Sequence, residues 1–426
     1  MKKSVWSDTV KLQTFENLSK DIKTDVLIIG GGICGILCAY YLTQKGAKCA
    51  LVEKDRVSSG ITKNTTAKIT SQHGLIYNKI NKEYGRERAH MYLDINQKAL
   101  YEYEKLAETI DCDFEKKDAF TYSTTDRRKI ENEVSFLKSI GFDASFEEKT
   151  ELPFRVEGAV KFKNQAQFHP LKFLSGICEN LTIYENTTVL GITPQYALTD
   201  NGKIYAKQII VATHFPFINK HGSYFLKLYQ DRSYVSAYEY RSSLDGMYVD
   251  EDKSGFSLRS YENLLLIGGS GHRTGKESRA WEGIREFADK YYPDSALKYE
   301  WAAQDCMSLD SIPYIGQYSK NTPNLYVATG FNKWGMTSSM VSAMILSDVL
   351  CGKKNDYAHI FSPQRGILKP QLFVNGLEST INLLTPTTKR CSHLGCALKW
   401  NKHEHTWDCP CHGSRFDKNG HIIDNP

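Results

Sequence analysis

A short glycine pattern between an apolar strand and a helix constrains the fold of this chain most. Gly30, Gly32 and Gly35 form G-x-G-x-x-G after the apolar run 25–29, which is typical of a parallel strand buried on both faces. Residues 33–44 follow with helical periodicity. In such a motif the first glycine allows a tight turn, the second lets a pyrophosphate approach, and the third lets helix and strand pack closely. The sequence therefore predicts an α/β domain of the Rossmann type that binds a dinucleotide at the start of the helix.

The residue at the end of the next strand narrows the choice of dinucleotide. Glu53 lies 23 residues after Gly30, where a carboxylate accepts hydrogen bonds from a ribose. The same charge repels the 2′-phosphate of NADPH, which disfavours that cofactor. The sequence shows no second G-x-G-x-x-G, which argues against a reductase with separate FAD and NAD(P)H sites. FAD and NAD both stay possible on this motif alone.

Cysteine and histidine cluster near the carboxyl end. Four of the eleven cysteines lie in the last 36 residues. Cys391-x-His393 and Cys409-x-x-His412 each supply a thiolate and an imidazole from one loop. Two thiolates and two imidazoles fit a [2Fe–2S] centre of the Rieske type, and they also suit Zn²⁺ by ligand type. The sequence predicts a metal centre held by these four residues.

Charge and hydropathy exclude several other classes of protein. The net charge of +5 is spread over 54 basic and 49 acidic residues without a like-charge run, so no nucleic-acid partner is expected. The apolar stretch 26–42 is interrupted by glycines and falls short of the ~20 residues that a membrane span needs. The amino terminus has two lysines but no apolar core of a signal peptide behind them. We therefore expect no membrane span and a cytoplasmic location, with residues 1–24 lying as an arm on the surface.

The downstream pattern favours FAD over NAD. Residues 58–70 read SSGITKNTTAKIT, just after the ribose position, and the late stretch 328–330 ends a strand before a helix near Gly335. With these features, residues 25–350 resemble the D-amino-acid oxidase / glycine oxidase superfamily of FAD oxidoreductases, in which the late helix covers the flavin. The resemblance implies cofactor contacts at Gly30, Gly32, Gly35, Glu53, Lys54, Thr62, Thr65, Thr66, Val189, Ala212, Gly330, Gly335, Met336 and Thr337.

The residues around the carboxyl-terminal ligands resemble the Rieske family, through His-Leu-Gly-Cys and Cys-Pro-Cys-His-Gly-Ser. The resemblance implies a [2Fe–2S] cluster and a disulfide between Cys396 and Cys411. We interpret His403 and His405 as surface residues. The stretch before the first loop is too short for the strands of a full Rieske domain, so we expect an abbreviated module. Such a module needs contacts with the flavin domains to complete its core. A zinc site is the alternative to the [2Fe–2S] cluster.

The pairing of the two groups predicts the direction of electron flow. Electrons are expected to pass from the flavin to the cluster and on to an acceptor protein or a quinone, which favours a dehydrogenase over an oxidase. The resemblance implies a small amine or amino acid as donor. The substrate candidates are His73, Arg232, Tyr234 and Arg273, and no general base is assigned. The alternatives are a dehydrogenase of a 2-hydroxy acid or polyol, and a redox sensor or electron-transfer flavoprotein without turnover.

The expected architecture is α/β with a discontinuous, Rossmann-like FAD-binding domain. That domain is assigned residues 1–90, 150–230 and 305–350. An antiparallel substrate domain is inserted at 91–149 and 231–304. A connector at 351–375 leads to the small, β-rich Rieske module at 376–426.

Overall fold

The computed structural model of this chain describes residues 3–218, 221–252 and 255–424. Strands and helices alternate in the first third of the chain, and strands dominate afterwards. The strands are β1 (Ile22–Ile29), β2 (Cys49–Val52), β3 (Lys68–Ile69), β4 (Glu115–Ser123), β5 (Ala144–Glu147), β6 (Gly158–Gln167), β7 (Ile183–Tyr184), β8 (Val189–Ile192), β9 (Ala197–Thr199), β10 (Gly202–Val211), β11 (Leu228–Glu239), β12 (Gly246–Asp250), β13 (Ser257–Tyr261), β14 (Leu264–Arg273), β15 (Ala296–Ser308), β16 (Tyr314–Gln317), β17 (Leu325–Thr329), β18 (Lys399–Asn401), β19 (Thr406–Asp408), β20 (Arg415–Phe416) and β21 (Ile422–Asp424).

The helices pack on both sheets and on one another. They are α1 (Val5–Thr9), α2 (Ile33–Gln44), α3 (Ile76–Tyr84), α4 (Arg86–Ala107), α5 (Arg127–Ser139), α6 (Pro170–Ile177), α7 (Tyr224–Lys227), α8 (Ala280–Tyr291), α9 (Gly335–Leu350) and α10 (Pro370–Leu384), with a 3₁₀ turn at Ile61–Asn64.

The first sheet has the strand order β16-β17-β10-β1-β2-β7, with β8 and β9 attached through β10. β1 pairs in parallel with both β10 and β2, and β10 pairs in parallel with β17. Leu27 and Ile28 in the middle of β1 are fully buried, as the continuous apolar run requires. β1 leads through the glycine motif into α2, which packs against α9. The predicted strand–turn–helix and the α/β class are confirmed.

The second sheet is nine-stranded and mainly antiparallel. Its order is β15-β11-β14-β13-β12-β4-β6-β3, with β5 beside β6. The pairing of β12 with β4 is parallel. Helix α8 packs on β11 and β14, where Tyr234, Leu265 and Trp281 join one apolar cluster. The inserted sheet is therefore present as expected.

The predicted domain borders disagree with the structure at three places. The assignment of 150–230 to the FAD-binding domain is wrong for β6, which pairs with β4 and β5 in the second sheet. Helix α4, assigned to the insertion, instead packs against α9, where Tyr103 donates a hydrogen bond to the Met336 carbonyl at 2.9 Å. The predicted border at 375/376 falls inside α10. Long-range pairing decides each of these positions, and local sequence patterns do not report it.

The carboxyl-terminal module is a four-stranded sheet of the order β18-β19-β20-β21. Its buried cluster consists of four cysteines and Phe416. A core of this size is too small to stabilise a domain alone, since most domains below about 40 residues need a disulfide, a metal or a partner surface. The predicted abbreviated module is therefore present, and it rests on the second sheet.

The expectation of a surface arm at the amino terminus is wrong for the first helix. Residues 4–9 do not lie as an arm on the surface: Ser4 caps α1, and Trp6 is fully buried. The Trp6 indole N–H donates to the Thr65 carbonyl at 2.7 Å. Throughout the described ranges, no helix combines the length and apolarity that crossing a membrane requires.

Candidate functional site

One cavity of about 1910 Å³ connects the glycine turn of the first sheet to the second sheet and to the carboxyl-terminal module. Gly30, Glu53, Trp301 and Trp334 are among the residues that line it. Pockets for single small ligands measure about 300–1,000 Å³. The cavity is therefore large enough for an extended dinucleotide together with a small donor.

The three motif glycines have different surroundings. A Cβ on Gly35 would lie 2.0 Å from the Gly30 carbonyl oxygen, and a Cβ on Gly30 would lie 2.6 Å from that of Ala212. A Cβ on Gly32 would meet Thr62 Oγ1 at 3.4 Å, an ordinary contact. Gly30 and Gly35 are thus required by packing, whereas Gly32 leaves the backbone open toward the cavity. This arrangement fits a pyrophosphate at the start of α2.

Glu53 is held at the end of β2 by backbone hydrogen bonds. Its Oε2 accepts from the Gly31 N–H at 2.7 Å, and its Oε1 accepts from the Asp55 N–H at 3.0 Å. Burial raises the pKa of Glu53, and these bonds oppose that effect. The carboxylate lines the cavity, as a ribose partner must.

The four predicted metal ligands come together in the carboxyl-terminal module. The rings of His393 and His412 lie 5.1 Å apart, and Cys391 Sγ lies 3.2 Å from Ser414 Oγ. Hydrogen bonds from Cys409 and Ser414 lower the pKa of Cys391 to about 6, although burial opposes them. Such a thiol supplies the thiolate that an iron or zinc ion requires.

His412 has one ring nitrogen committed and one available. Its Nε2–H donates to the Phe225 carbonyl at 3.1 Å. Its Nδ1 is buried and has no hydrogen-bond partner among the described residues. A hydrogen bond at one nitrogen fixes the tautomer and leaves a lone pair on the other for a metal. The residues present therefore fit a resident metal group.

Cys396 and Cys411 are joined as a disulfide, so neither serves as a ligand. Their sulfurs and that of Cys409 all lie within 4.8 Å of one another. The disulfide ties the two ligand loops together beside Cys409. This agrees with the expected pairing.

The comparison with protein families decides between the two kinds of metal group. The family described as FAD dependent oxidoreductase (DAO) matches residues 25–349, and the Rieske [2Fe-2S] domain matches residues 382–426. The chain belongs to the FAD dependent oxidoreductase family. Its DAO domain binds FAD, and its Rieske domain binds a [2Fe–2S] cluster.

Relatives share the same combination or the same fold. The chain is 36% identical to YhfW of Bacillus subtilis (strain 168), which is named as a Rieske 2Fe-2S iron-sulfur protein, over 99% of this chain and 95% of the relative. It is 22% identical to gamma-glutamylputrescine oxidoreductase of Escherichia coli (strain K12), over 80% and 87% of the two chains. Glycine oxidase from Geobacillus kaustophilus has the same fold, with a TM-score of 0.68 and 18% identity over 81% and 99% of the two chains. This FAD oxidoreductase thus carries its electron carrier in the same polypeptide.

Most of the cofactor residues predicted from the resemblance line the cavity. They are Gly30, Gly32, Glu53, Lys54, Thr62, Thr65, Thr66, Val189, Ala212, Gly335 and Met336. Gly35, Gly330 and Thr337 are not part of the wall. Gly330 has a φ of +71° and packs against Leu228 and Ser308, and Thr337 faces His73.

His73 lines the cavity but has both ring nitrogens engaged. Nε2 lies 2.9 Å from the Thr70 carbonyl oxygen, which only accepts, so Nε2 carries the proton. Nδ1 accepts from the Tyr92 hydroxyl at 2.8 Å. Burial lowers the pKa of His73 to about 3, and its ring stacks on Trp334 at 5.0 Å. His73 therefore positions the turn before α9 as a neutral ring.

Of the two predicted substrate arginines, Arg232 lines the cavity and Arg273 does not, and both are paired with the Rieske module or its preceding helix. Arg232 forms an ion pair with Glu404 of the Rieske module and has 7% of its side chain exposed. Arg273 donates to the Pro410 carbonyl at 3.0 Å and to Asn375 Oδ1 at 2.8 Å. Both arginines therefore dock the Rieske module against the second sheet. Tyr234 lines the cavity and is buried against Trp281.

Sequence reasoning missed Lys68, which lines the cavity from β3. Its Nζ donates to Ser257 Oγ at 3.1 Å, and no salt bridge involves it within the described ranges. Burial, with the neighbouring charge of Arg259, lowers the pKa of Lys68 to about 7. A lone lysine in TTAKIT carries no local signal, because its burial arises from pairing of β3 with β6.

The Rieske module touches the cavity at several points. Gln304 Nε2 donates to the Gly413 carbonyl at 2.9 Å, directly after the ligand His412. The interpretation of His403 as a surface residue is wrong: it lines the cavity and its Nε2 lies 3.0 Å from the Ser278 carbonyl. His405 is exposed, as expected.

Proposed function

We propose that this enzyme is a dehydrogenase that oxidises a small amine or amino acid and delivers the electrons through its Rieske cluster to an external one-electron acceptor, a protein or a quinone. One contact carries the proposal. Phe215 lines the cavity, and its ring lies 5.9 Å from the ring of the cluster ligand His412. The wall of the flavin cavity and the cluster site are thus in direct contact.

The redox chemistry of FAD and of the [2Fe–2S] cluster is consistent with electron transfer across this contact. Bound FAD accepts two electrons as a hydride, and the cluster carries one electron at a time. The two imidazole ligands place Rieske potentials at about −150 to +300 mV, against about −400 mV for plant-type clusters. A potential in this range makes the cluster a better electron acceptor than an all-cysteine cluster of the plant type.

The chain itself holds the cofactor in an extended form. The glycine turn and the start of α2 receive the pyrophosphate, Glu53 receives a ribose, and Val189 lies where an adenine is expected. Trp334 and Gly335, at the start of α9, also line the cavity, and the Trp334 ring stacks on His73.

Lys68 is the group that we propose for a donor carboxylate. Its contact inside the cavity is a hydroxyl group, and burial together with the charge of the nearby, buried Arg259 disfavours its protonated form while no anion is present. Burying positive charge without a counter-ion is costly, so an anion that enters the cavity is stabilised there. A donor with a carboxylate would be held by Lys68 while its amine carbon faces the flavin.

Orientation replaces a dedicated base in this proposal. His73 has no free ring nitrogen to accept a proton. An amine that enters in its neutral form needs no further deprotonation before hydride loss, so positioning supplies the rate enhancement. The printed names of glycine oxidase and gamma-glutamylputrescine oxidoreductase describe amine chemistry and support this donor class.

The proposal is tested with anaerobic holoenzyme. We expect flavin bleaching by amines or amino acids, followed by a Rieske-type EPR signal from the same sample. Bleaching by 2-hydroxy acids or polyols and not by amines would assign the donor to that other class. If no metabolite bleaches the flavin while a reduced protein donor does so rapidly, the sensor or electron-transfer hypothesis replaces the proposal.

The role of Lys68 is tested separately. Lys68→Gln should raise KM for donors with a carboxylate and leave KM for simple amines unchanged, and Lys68→Arg should restore part of the loss. Lys298→Gln is the matched control, because Lys298 forms a surface pair with Glu239. Equal effects on both donor types would remove Lys68 from donor binding.

A further inference from the structure

Helix α10 has its polar side toward the protein and its apolar side toward solvent. Asn375 and Asn382 are buried at 1% and 3% exposure. Asn375 Nδ2 donates to the Leu226 carbonyl at 3.1 Å, and Glu378 pairs with Lys276. A surface helix ordinarily buries its apolar stripe and exposes its polar one. In α10 the positions of the apolar and polar side chains are reversed.

The exposed stripe is long and wholly apolar. Phe373, Leu377, Ile381 and Leu384 follow one another at helical spacing and are 69%, 62%, 52% and 76% exposed. Leu368, just before the helix, is 81% exposed. We call these five residues the α10 face. Contiguous apolar surface of this kind marks an interaction site in a soluble protein.

Basic residues lie close to the α10 face in the sequence. Residues 366–402 contain five basic residues and one acidic residue, Glu378, which is already paired with Lys276. The basic residues that are exposed are Lys389, Arg390, Lys399 and Lys402. The Arg390 guanidinium contacts the carbonyls of Leu383, Thr385 and Gly395. The net charge of this segment thus complements an anionic surface.

We propose that the α10 face binds the surface of a membrane that contains anionic lipids. Aliphatic side chains and phenylalanine flanked by lysine and arginine are typical of helices that lie in the interface of a bilayer. Each basic residue near such a surface adds to the electrostatic attraction. Cores of protein–protein interfaces are enriched in aromatic residues, Met and Arg, whereas four of the five residues of the α10 face are aliphatic.

The α10 face is joined directly to the cluster. The Ala397 N–H, in the first ligand loop, donates to the Asn382 carbonyl at 2.8 Å. Leu394, next to the ligand His393, is 41% exposed and extends the apolar surface. Binding therefore brings the first cluster loop to the lipid surface, where a lipid-soluble acceptor would be found. The inference does not depend on the identity of the donor.

Flotation of the holoenzyme with vesicles tests the proposal. The probes are vesicles of phosphatidylcholine and of an equimolar mixture of phosphatidylcholine and phosphatidylglycerol. We expect binding to the mixed vesicles, weakened by high salt. The double variant Leu377→Gln/Ile381→Gln should lose at least about tenfold in binding, because two large apolar side chains no longer enter the bilayer interface.

The matched control is Leu297→Gln, since Leu297 is 43% exposed on β15 of the second sheet. It should bind vesicles as the wild type does, and all variants should keep equal FAD and iron content. Absence of wild-type binding to either vesicle, or equal binding by the double variant, would overturn the proposal. Light scattering that shows a wild-type dimer and a monomeric double variant, without vesicle binding, would assign the α10 face to a second copy of the chain.

Discussion

The guanidinium of Arg232 and the carboxylate of Glu404 form a buried two-pronged ion pair across the junction of the second sheet and the Rieske module. Arg232 Nε lies 2.6 Å from one carboxylate oxygen, and Nη2 lies 2.5 Å from the other. Arg415 adds a second contact to Glu404 at 2.8 Å. The pair fixes the position of the β18–β19 turn and closes one side of the cavity.

Replacing Arg232 should therefore undock the Rieske module. Arg232→Gln leaves the buried Glu404 carboxylate without one of its two arginine partners. Removing one partner of such a pair costs about 3–5 kcal/mol. We expect a lower midpoint of thermal unfolding and loss of iron, with FAD content retained. Iron and flavin analysis together with differential scanning calorimetry measure these effects.

Arg279→Gln is the control for this prediction, because Arg279 pairs with Glu286 and both side chains are well exposed. Such exposed pairs contribute about 0–1 kcal/mol. If Arg232→Gln instead kept its iron and thermal stability while KM for the donor rose, Arg232 would be a substrate residue after all.

The same ion pair makes stability depend on pH. Burial by itself raises the pKa of Glu404, but the hydrogen bond and charge of Arg232, with Arg415, outweigh burial and lower it to about 2. The unfolded carboxyl group titrates near 4.3. Since the pKa is depressed in the folded state, the stabilisation is present above about pH 4.3 and is lost as pH falls toward 2. The linked free energy is about 3 kcal/mol.

Unfolding of the wild type and of Glu404→Gln across this pH window measures the effect. The difference in the free energy of unfolding between the two should be largest at neutral pH and shrink on acidification below pH 4.3. Glu286→Gln, at an exposed pair with Arg279, should track the wild type throughout. A difference between wild type and Glu404→Gln that stays constant with pH would contradict the assignment.

The sequence was informative wherever spacing along the chain sets the chemistry. The glycine motif and the Cys-x-His and Cys-x-x-His pairs each lie within one turn or loop, so their residues are recognisable without the fold. The contacts of Arg232 and Arg273 cannot be recognised from local sequence, because their partners Glu404 and Pro410 lie more than a hundred residues away. Long-range pairing alone decides such contacts.

The burial of Lys68 and the burial of Trp6 likewise cannot be predicted from the residues around them in the sequence. Lys68 reads as an ordinary surface lysine until β3 pairs with β6 and brings it into the cavity. Trp6 reads as part of a polar arm until its indole reaches Thr65. Neither position has a local periodicity that predicts its burial.

The motif glycines should respond differently to the same substitution. In Gly35→Ala the new Cβ meets the Gly30 carbonyl oxygen at 2.0 Å, so strand and helix must separate. We expect a loss of more than about 3 kcal/mol of stability or failure to fold. Gly32→Ala meets Thr62 at 3.4 Å and should fold with less bound FAD, because the methyl group points toward the pyrophosphate.

Chemical denaturation and the flavin content of purified protein separate these outcomes. The variant Gly366→Ala is a control for a glycine without a positive φ and without an atom near the added Cβ. Equal stability of Gly35→Ala and Gly32→Ala would show that the α2–β1 contact is not the reason for the third glycine.

Phe215 should govern the rate at which donor electrons reach the cluster. It lines the cavity and touches His412, whereas Phe225 touches the same ring at 6.3 Å without lining the cavity. Phe215→Leu should slow reduction of the cluster in stopped-flow experiments, with unchanged flavin bleaching, because the contact across the wall is weakened. Phe225→Leu is the control, since its carbonyl still accepts from His412. Each variant should cost about 1 kcal/mol of stability, so a slower cluster reduction in both would point to general loosening of the module and not to the Phe215 contact.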